Sequence, residues 1–483
     1  MPEPKLRLLS SQEIQMIHDA SLHILRDTGV RVRHAAILQK LAEAGADVDA
    51  VNQLARFSEE MVIGAIESAG KQFILYGRDA NRVARFGYGD GNMISSPGQY
   101  SWFDHHTRTR RKPLLADARS AGRLGDYLSN ITIVGGMAAP ADVPMEVRDV
   151  VLTAELVKNS GKPVRAFPVS SRSSYYVLEI YKLLAGGEEA LRKRPMTEML
   201  LEPISPLQMP DKELDILLQF TAAGQPISIG PMAMASGTAP ATLAGTLAQE
   251  NAEILAGLVV VQSIAPGTPI LYGSIPHLMD PRTSICSFGS PEQGLMALGL
   301  TEIGKAYGFP VYVNVNLTDS KLLDAQTGME KIGSLLMGML AKADLFGHAG
   351  IVGTDHGGSL SWLIADNEAV DFARRISRGF VVDEEHTAVD VISAVGPGGN
   401  FLSEPHTVRH YRKEFWLPGT IWTRESHDTW DTRGAKSFEE RAIAMVDEIL
   451  GRHEPEPLDG YIERELDKIV QAAFRELVPG HIR

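Results

Sequence analysis

Apolar positions along this chain recur in two alternating rhythms over most of its length. Short apolar runs of strand length fall near 92–96, 131–137, 164–169, 198–202, 226–232, 269–272, 310–316 and 344–347. Between them lie longer segments with apolar residues three and four apart, at 116–129, 145–160, 174–186, 211–223, 241–264, 291–308 and 326–343; an eighth, 365–377, follows the last run. The first rhythm predicts strands and the second helices. Strand–helix alternation repeated about eight times predicts a parallel TIM (β/α)8 barrel. Four steps punctuate the pattern: Gly161-Lys162-Pro163, Gly224-Gln225-Pro226, Gly267-Thr268-Pro269 and Gly308-Phe309-Pro310. In each, glycine can stop a helix and proline opens a strand, where its missing N–H does little harm. A doubly wound open sheet is the competing architecture, but it normally brings a phosphate-binding glycine loop, and neither G-x-G-x-x-G nor G-x-x-x-x-G-K-[ST] occurs.

Both ends depart from this rhythm. Helices are predicted over 11–26, 34–44 and 58–69, then a hairpin of strands 71–76 and 82–86. Past residue 380 come a helical start at Asp383-Glu384-Glu385-His386, a turn-rich Gly396-Pro397-Gly398-Gly399-Asn400 loop, three tryptophans (Trp416, Trp422, Trp430) and a closing helix pair, 438–452 and 461–477. The expected division is an N-terminal helical and hairpin cap (1–90), the barrel (91–380) and a helical C-terminal extension (381–483) that covers the barrel or makes an oligomer contact.

Composition narrows the function classes. With 47 Lys and Arg against 60 Asp and Glu, the 483-residue chain carries a net charge of −13 and no long basic run, which argues against a nucleic-acid partner. Its longest apolar run, 254–261, is too short for a bilayer span, and the first residues lack a signal-like pattern. A soluble, cytoplasmic protein is the expectation. Cys286 is the single cysteine, so neither an intrachain disulfide nor a thiolate-rich metal site can be built. H-E-x-x-H and G-x-S-x-G are also absent, leaving zinc hydrolysis and serine-hydrolase chemistry without support.

The strand 310–316 alternates Val311, Val313 and Val315 with Tyr312, Asn314 and Asn316, and it ends in a polar turn containing Asp319. In a barrel, that carboxyl end is where chemistry is placed. Asn314 and Asn316 either act there or fill a polar layer, and Asp319 would cap the following helix. Glu202 occupies a similar strand end, and His348 has space beside it from Gly347 and Gly350. Tyr100, Trp102, Phe103, Phe288 and Phe346 cluster near strand ends and loops; with His356 they form the candidate binding set. Aromatic faces attract quaternary ammonium groups through the ring quadrupole, although ordinary core packing is the commoner role of such residues.

From Pro203 onward the chain resembles the trimethylamine methyltransferase superfamily, in its members without pyrrolysine. The resemblance rests on Pro203-Ile204-Ser205-Pro206-Leu207, Gly230-Pro231-Met232, Gly289-Ser290-Pro291-Glu292, Asp319-Ser320-Lys321, Asp324-Ala325-Gln326 and Gly396-Pro397-Gly398-Gly399 with His406-Thr407. It implies a barrel enzyme of one-carbon metabolism, related to methanogenesis, that moves a methyl group from a methylated amine to the Co(I) corrinoid (cobalamin) of a separate protein. No cofactor would then be bound in this chain. The strand that carries pyrrolysine in the archaeal trimethylamine enzymes here holds ordinary residues, so the resemblance points to a quaternary amine: glycine betaine or a related betaine. His348, Asn314 and Asn316 become the expected catalytic residues. Tyr100, Trp102, Phe103, Glu202, Phe288, Phe346 and His356 become the expected substrate contacts. The corrinoid-carrying signature D-x-H-x-x-G is absent, as a two-protein arrangement requires; a homo-oligomer is expected. Two alternatives stay open: a catalytically silent betaine-binding barrel, and a barrel lyase or aldolase using Glu202 and Lys321.

Overall fold

The computed structural model describes residues 4–419 and 421–478. Eight short strands carry the site: β1 (Asn92–Ser95), β2 (Val134–Gly135), β3 (Val164–Arg165), β4 (Met199–Leu201), β5 (Ile227–Ile229), β6 (Ile270–Ser274), β7 (Val311–Asn314) and β8 (Leu345–Ala349). Each is followed by a helix: α1 (Leu115–Tyr127), α2 (Arg148–Asn159), α3 (Ser171–Ala185), α4 (Asp211–Ala222), α5 (Leu243–Ile264), α6 (Pro291–Ala306), α7 (Ala325–Leu340) and α8 (Leu360–Ser377). All strand and helix positions read from the periodicity are occupied by the element expected. Strands such as β6 and β8 are buried on both faces, as parallel strands sheathed in helices must be. In α5 every side chain over 246–262 is buried, because the helix lies between the sheet and the N-terminal helices Ser11–His23 and Glu59–Ser68. The cap of α7 is Asp324, whose carboxylate accepts from Thr327 N–H at 3.1 Å; Asp319, expected in that role, lies elsewhere.

Backbone pairing links six strands in the parallel order β4-β5-β6-β7-β8-β1, and β2 with β3 as a separate parallel pair. A single bridge, Ile94 to Ile133, joins the two sets. Between β3 and β4 no ladder forms among the described residues; Arg165 and Glu198 face each other there as a buried ion pair at 2.8 Å. The sheet is therefore a curled, open parallel half-barrel flanked by helices, where the sequence led to a closed eight-stranded ladder. At this seam the approach to β4 is held by the N-terminal hairpin: the Pro195 carbonyl accepts from Tyr76 N–H at 2.8 Å, and side chains, not backbone, face β3.

That hairpin, Phe73–Tyr76 with Val83–Phe86, inserts Phe73, Leu75 and Phe86 into a cluster with Leu271, Tyr312 and Leu345. It plugs the amino-terminal end of the strand array, leaving the carboxyl end as the open mouth. A small sheet escaped the sequence reading: Val30–Val32, Leu54–Arg56 and Asp47–Asp49, with Gln208–Met209 parallel at its edge. Strands of two or three residues are too short to display alternation. The closing helices pack outside, Phe438–Arg452 on α8 and α1 and Gly460–Leu477 on α2 and α3. Among the described residues, no helix is long and apolar enough to cross a membrane.

Candidate functional site

The carboxyl ends of seven of the eight strands converge on one cavity of about 370 Å³. Its walls take Pro97, Gly98, Gln99 and Tyr100 from the segment after β1, and Phe167 and Pro168 from that after β3. Glu202 follows β4, Met232 follows β5 and Ile275 follows β6, while Asn314 closes β7 and His348 lies in β8. Met199 and Leu200 of β4, Glu213 and Ile216 of α4, Phe288 and Asp355 complete it. A larger cavity of about 870 Å³ lies between α3 and Gly460–Leu477. It shares no residue with the strand ends, so the strand-end cavity is the better candidate for chemistry.

Three aromatic rings reach the strand-end cavity. Phe288 is buried and stacks on His277 with ring centres 5.2 Å apart. Phe167 is half open, backed by the Arg165 guanidinium at 5.4 Å. Tyr100, 80% exposed, stands at the rim. Phe288 owes its place to Asp319, whose Oδ1 accepts from Phe288 N–H at 2.9 Å and from Thr354 Oγ1 at 3.1 Å; Oδ2 accepts from Ser287 Oγ. One carboxylate thus ties the β7 loop to both the Phe288 loop and the segment leading into Asp355. Nothing in the local sequence announces this.

Three acids face the same space. Burial pushes the Asp355 carboxyl up to about 6, against a hydrogen bond donated by Gln99. Burial likewise raises Glu213 to about 7, a rise opposed by the Glu202 N–H it accepts at 3.1 Å and reinforced by the Glu202 charge. Glu202 is raised by burial, with Arg165 lowering it and Asp355 adding to the rise. His348 follows a cis peptide bond from Gly347 and has its Nε2 3.3 Å from Tyr312 Oη. Burial, helped by the Arg165 charge, drives its pKa down to about 3, so the ring is neutral near pH 7. Asn314 lines the cavity, and its backbone carbonyl accepts from Gln293 Nε2 at 2.8 Å.

The structure thus brings together His348, Asn314, Tyr100, Glu202 and Phe288 from the expected set. The others lie behind or beside the wall. Phe346 pairs in register with Val313 and packs toward Gly338 of α7, on the helix side of the sheet. The register shifts between Phe346 and Ala349, which sends His348 to the cavity although it is only two residues further on. Asn316 does not continue the Asn314 face: its φ is +64°, its N–H donates to Ser334 Oγ at 3.1 Å, and its side chain lies buried beside Asp366. Trp102 is buried core opposite Gly358, Phe103 packs on Gly357, and His356 is exposed one residue past Asp355. Lys321 lies outside the lining, its ammonium on the Asp319 carbonyl. Phe167, Gln99, Glu213 and Asp355 were missed, each being an isolated residue supplied by a different loop or, for Glu213, by the first turn of α4.

A parallel-strand mouth lined by aromatic rings and carboxyl groups, with one neutral histidine, defines a small-molecule site suited to an organic cation. The family comparison gives this class its particular form: residues 1–477 match the trimethylamine methyltransferase (MTTB) family, and the chain belongs to it. It is accordingly a methyltransferase. A glycine betaine methyltransferase of Desulfitobacterium hafniense (strain Y51) is 32% identical over 477 residues, covering 98% of both chains. The trimethylamine methyltransferases of D. hafniense DCB-2 (32%, 96% of this chain and 93% of that one) and Methanosarcina barkeri Fusaro (30%, 97% and 95%) are similar over almost the same length. In fold, the chain resembles the crystal structure of the M. barkeri monomethylamine methyltransferase, with a TM-score of 0.54 at 11% identity over 96% of this chain and 89% of that one.

Proposed function

We propose that this protein demethylates a quaternary amine, passing one methyl group to the Co(I) corrinoid of a separate protein. The observation that carries this reading is the aromatic and acidic mouth itself. Tyr100, Phe167 and Phe288 offer ring faces to an onium group, and Glu202, Glu213 and Asp355 supply countercharge. Similarity to glycine betaine and trimethylamine methyltransferases supports the same assignment.

The chemistry asks little of side chains. When the C–N bond breaks, its electron pair stays on nitrogen and leaves a neutral tertiary amine; the pair that forms the new bond to carbon comes from the partner's Co(I). No proton is needed, which suits a site whose histidine is neutral. The protein's contribution is orientation of the methyl group, an effect worth up to about 7–11 kcal/mol in favourable cases. Neutral His348 and Asn314 fix the other end of the substrate by hydrogen bonds. Phe346, Trp102, Phe103 and Asn316 back the wall and keep water out, and His356 borders the entrance. A barrel closed by contact of β3 with β4 through the Arg165–Glu198 pair is the form we propose for the sheet, with the mouth as the docking face of the corrinoid protein.

A homo-oligomer also belongs to this reading. The extension exposes Val382, Ile392, Leu402, Val408 and Leu417, each between 54 and 86% accessible. Such an apolar surface suits a lasting contact between like chains better than a transient one.

The test is an anaerobic incubation of the protein with a panel of quaternary amines and Co(I) corrinoid protein, followed by absorbance. Conversion of the Co(I) spectrum to that of methyl-cobalt is the expected result. No methyl-cobalt with any quaternary amine refutes the reading.

A further inference from the structure

The charges lining the cavity are of one sign. Glu202, Glu213 and Asp355 all reach it, and among the described residues no lysine or arginine lines it. Two cations come near without entering the lining, and Arg165 Nη1 and Nη2 make no hydrogen bond among the described residues. Arg165 is buried against Glu198 at 2.8 Å and stands behind the Phe167 ring. Lys321 rests on the Asp319 carbonyl outside the lining. The remaining nitrogen base, His348, is neutral for the reason given above.

We propose that the substrate is a quaternary amine with net positive charge, whose non-methyl arm is neutral and hydrogen-bonding, such as a hydroxyalkyl group, and not a zwitterionic betaine. The inference rests on the quaternary-amine reading and narrows it. A betaine brings its own carboxylate into about 370 Å³ already shared by three carboxyl groups. Taken out of water, that group needs donors or a cation, and like charges in one site oppose each other. Gln99 already donates its side-chain N–H to Asp355, so the donors left at the mouth are uncharged: the Asn314 amide, the neutral His348 ring and the Tyr100 hydroxyl. A hydroxyl arm reverses the match. It has an O–H to give, and the lining is rich in carboxyl oxygens that accept. The onium head needs no donor and sits against Phe288 and Phe167, with the acids completing its neutralisation.

The experiment measures binding and turnover on the same protein. Calorimetry with the protein alone, and kcat/KM for methyl transfer to the Co(I) corrinoid protein, are compared for choline, tetramethylammonium and glycine betaine. Choline is expected to exceed glycine betaine by at least about 30-fold in both measures. Tetramethylammonium, which carries the charge without an arm, is expected between them. In Asp355→Asn the preference is expected to narrow, choline losing and glycine betaine gaining. Glycine betaine equal to or better than choline overturns the inference and leaves the quaternary-amine reading standing. Neither binding nor methyl transfer with any of the three removes that reading itself.

Discussion

Replacing Asp355 with asparagine removes one charge from the mouth and changes almost no volume, so its effect can be worked out in advance. Burial holds the carboxyl up to about 6, so at pH 7.5 the ionised form outweighs the protonated one by about 30 to 1. A cavity of about 370 Å³ has the radius of a sphere of about 4.5 Å, which puts a bound onium nitrogen about 5 Å from its walls. At an effective dielectric constant of about 20, that pair is worth at most about 3 kcal/mol. Asp355 has open surface toward the mouth, and solvent screening cuts the value to about 1–1.5 kcal/mol. Asp355→Asn should therefore raise KM for a cationic quaternary amine about 10-fold and leave kcat within about threefold.

The pH dependence follows with a definite sign. The ionised carboxyl attracts the onium, so kcat/KM should climb as pH rises through about 6, and again near 7 as Glu213 ionises. The variant should lose the lower limb alone. Stability moves the opposite way. Asp355 binds its proton more tightly folded than unfolded, so its contribution is full below about 3.8 and is lost as pH rises through about 6. Above that, the unliganded protein holds a carboxylate desolvated on one side and open to water on the other, and Asp355→Asn should melt higher at pH 7.5 by no more than about 1 °C. Steady-state kinetics from pH 5 to 8 with thermal melts provide the check. An unchanged KM together with an intact limb near 6 refutes the reasoning.

Other substitutions separate positioning from folding. Asp319→Ala removes the acceptor shared by Phe288, Ser287 and Thr354; kcat/KM should fall about 10-fold or more while urea unfolding shows a loss of about 1–3 kcal/mol. Lys331→Met strands Asp366, which holds the ammonium at 2.8 Å and also accepts from Gly350 N–H at 2.7 Å. Breaking this buried pair should cost about 3–5 kcal/mol by denaturant titration, and Lys331→Met with Asp366→Leu should recover most of it. Leu402→Glu with Val408→Glu places charges on the exposed apolar extension; sedimentation velocity should report a smaller species than the parent, with the far-UV spectrum retained.

The architecture was legible because periodicity is a local property. Every strand from Asn92–Ser95 to Leu345–Ala349 appeared as an apolar run bounded by turn residues, and the Gly–Pro steps marked where helices stop. Closure was not legible, since which strands share a ladder depends on long-range pairing, and β3 meets β4 through the Arg165–Glu198 side chains and not through backbone. At the site, strand position located Asn314, His348 and Glu202, whereas aromatic content alone could not tell a wall from a core. Phe346 and Asn316 show why: one register shift and one residue at positive φ change which way a side chain faces. Asp355 and Glu213 lie in a loop and a helix with no motif of their own, and only the assembled fold brings them within reach of Glu202.

The central claim is that the mouth grips a quaternary nitrogen and delivers one of its methyl groups. A single turnover with a quaternary amine carrying trideuterated methyls, at stoichiometric Co(I) corrinoid protein, examines it most directly by mass spectrometry of both products. One trideuteromethyl on cobalt is expected for each molecule of tertiary amine released. Tight binding of the amine with no label on cobalt, or label appearing without the matching tertiary amine, contradicts it.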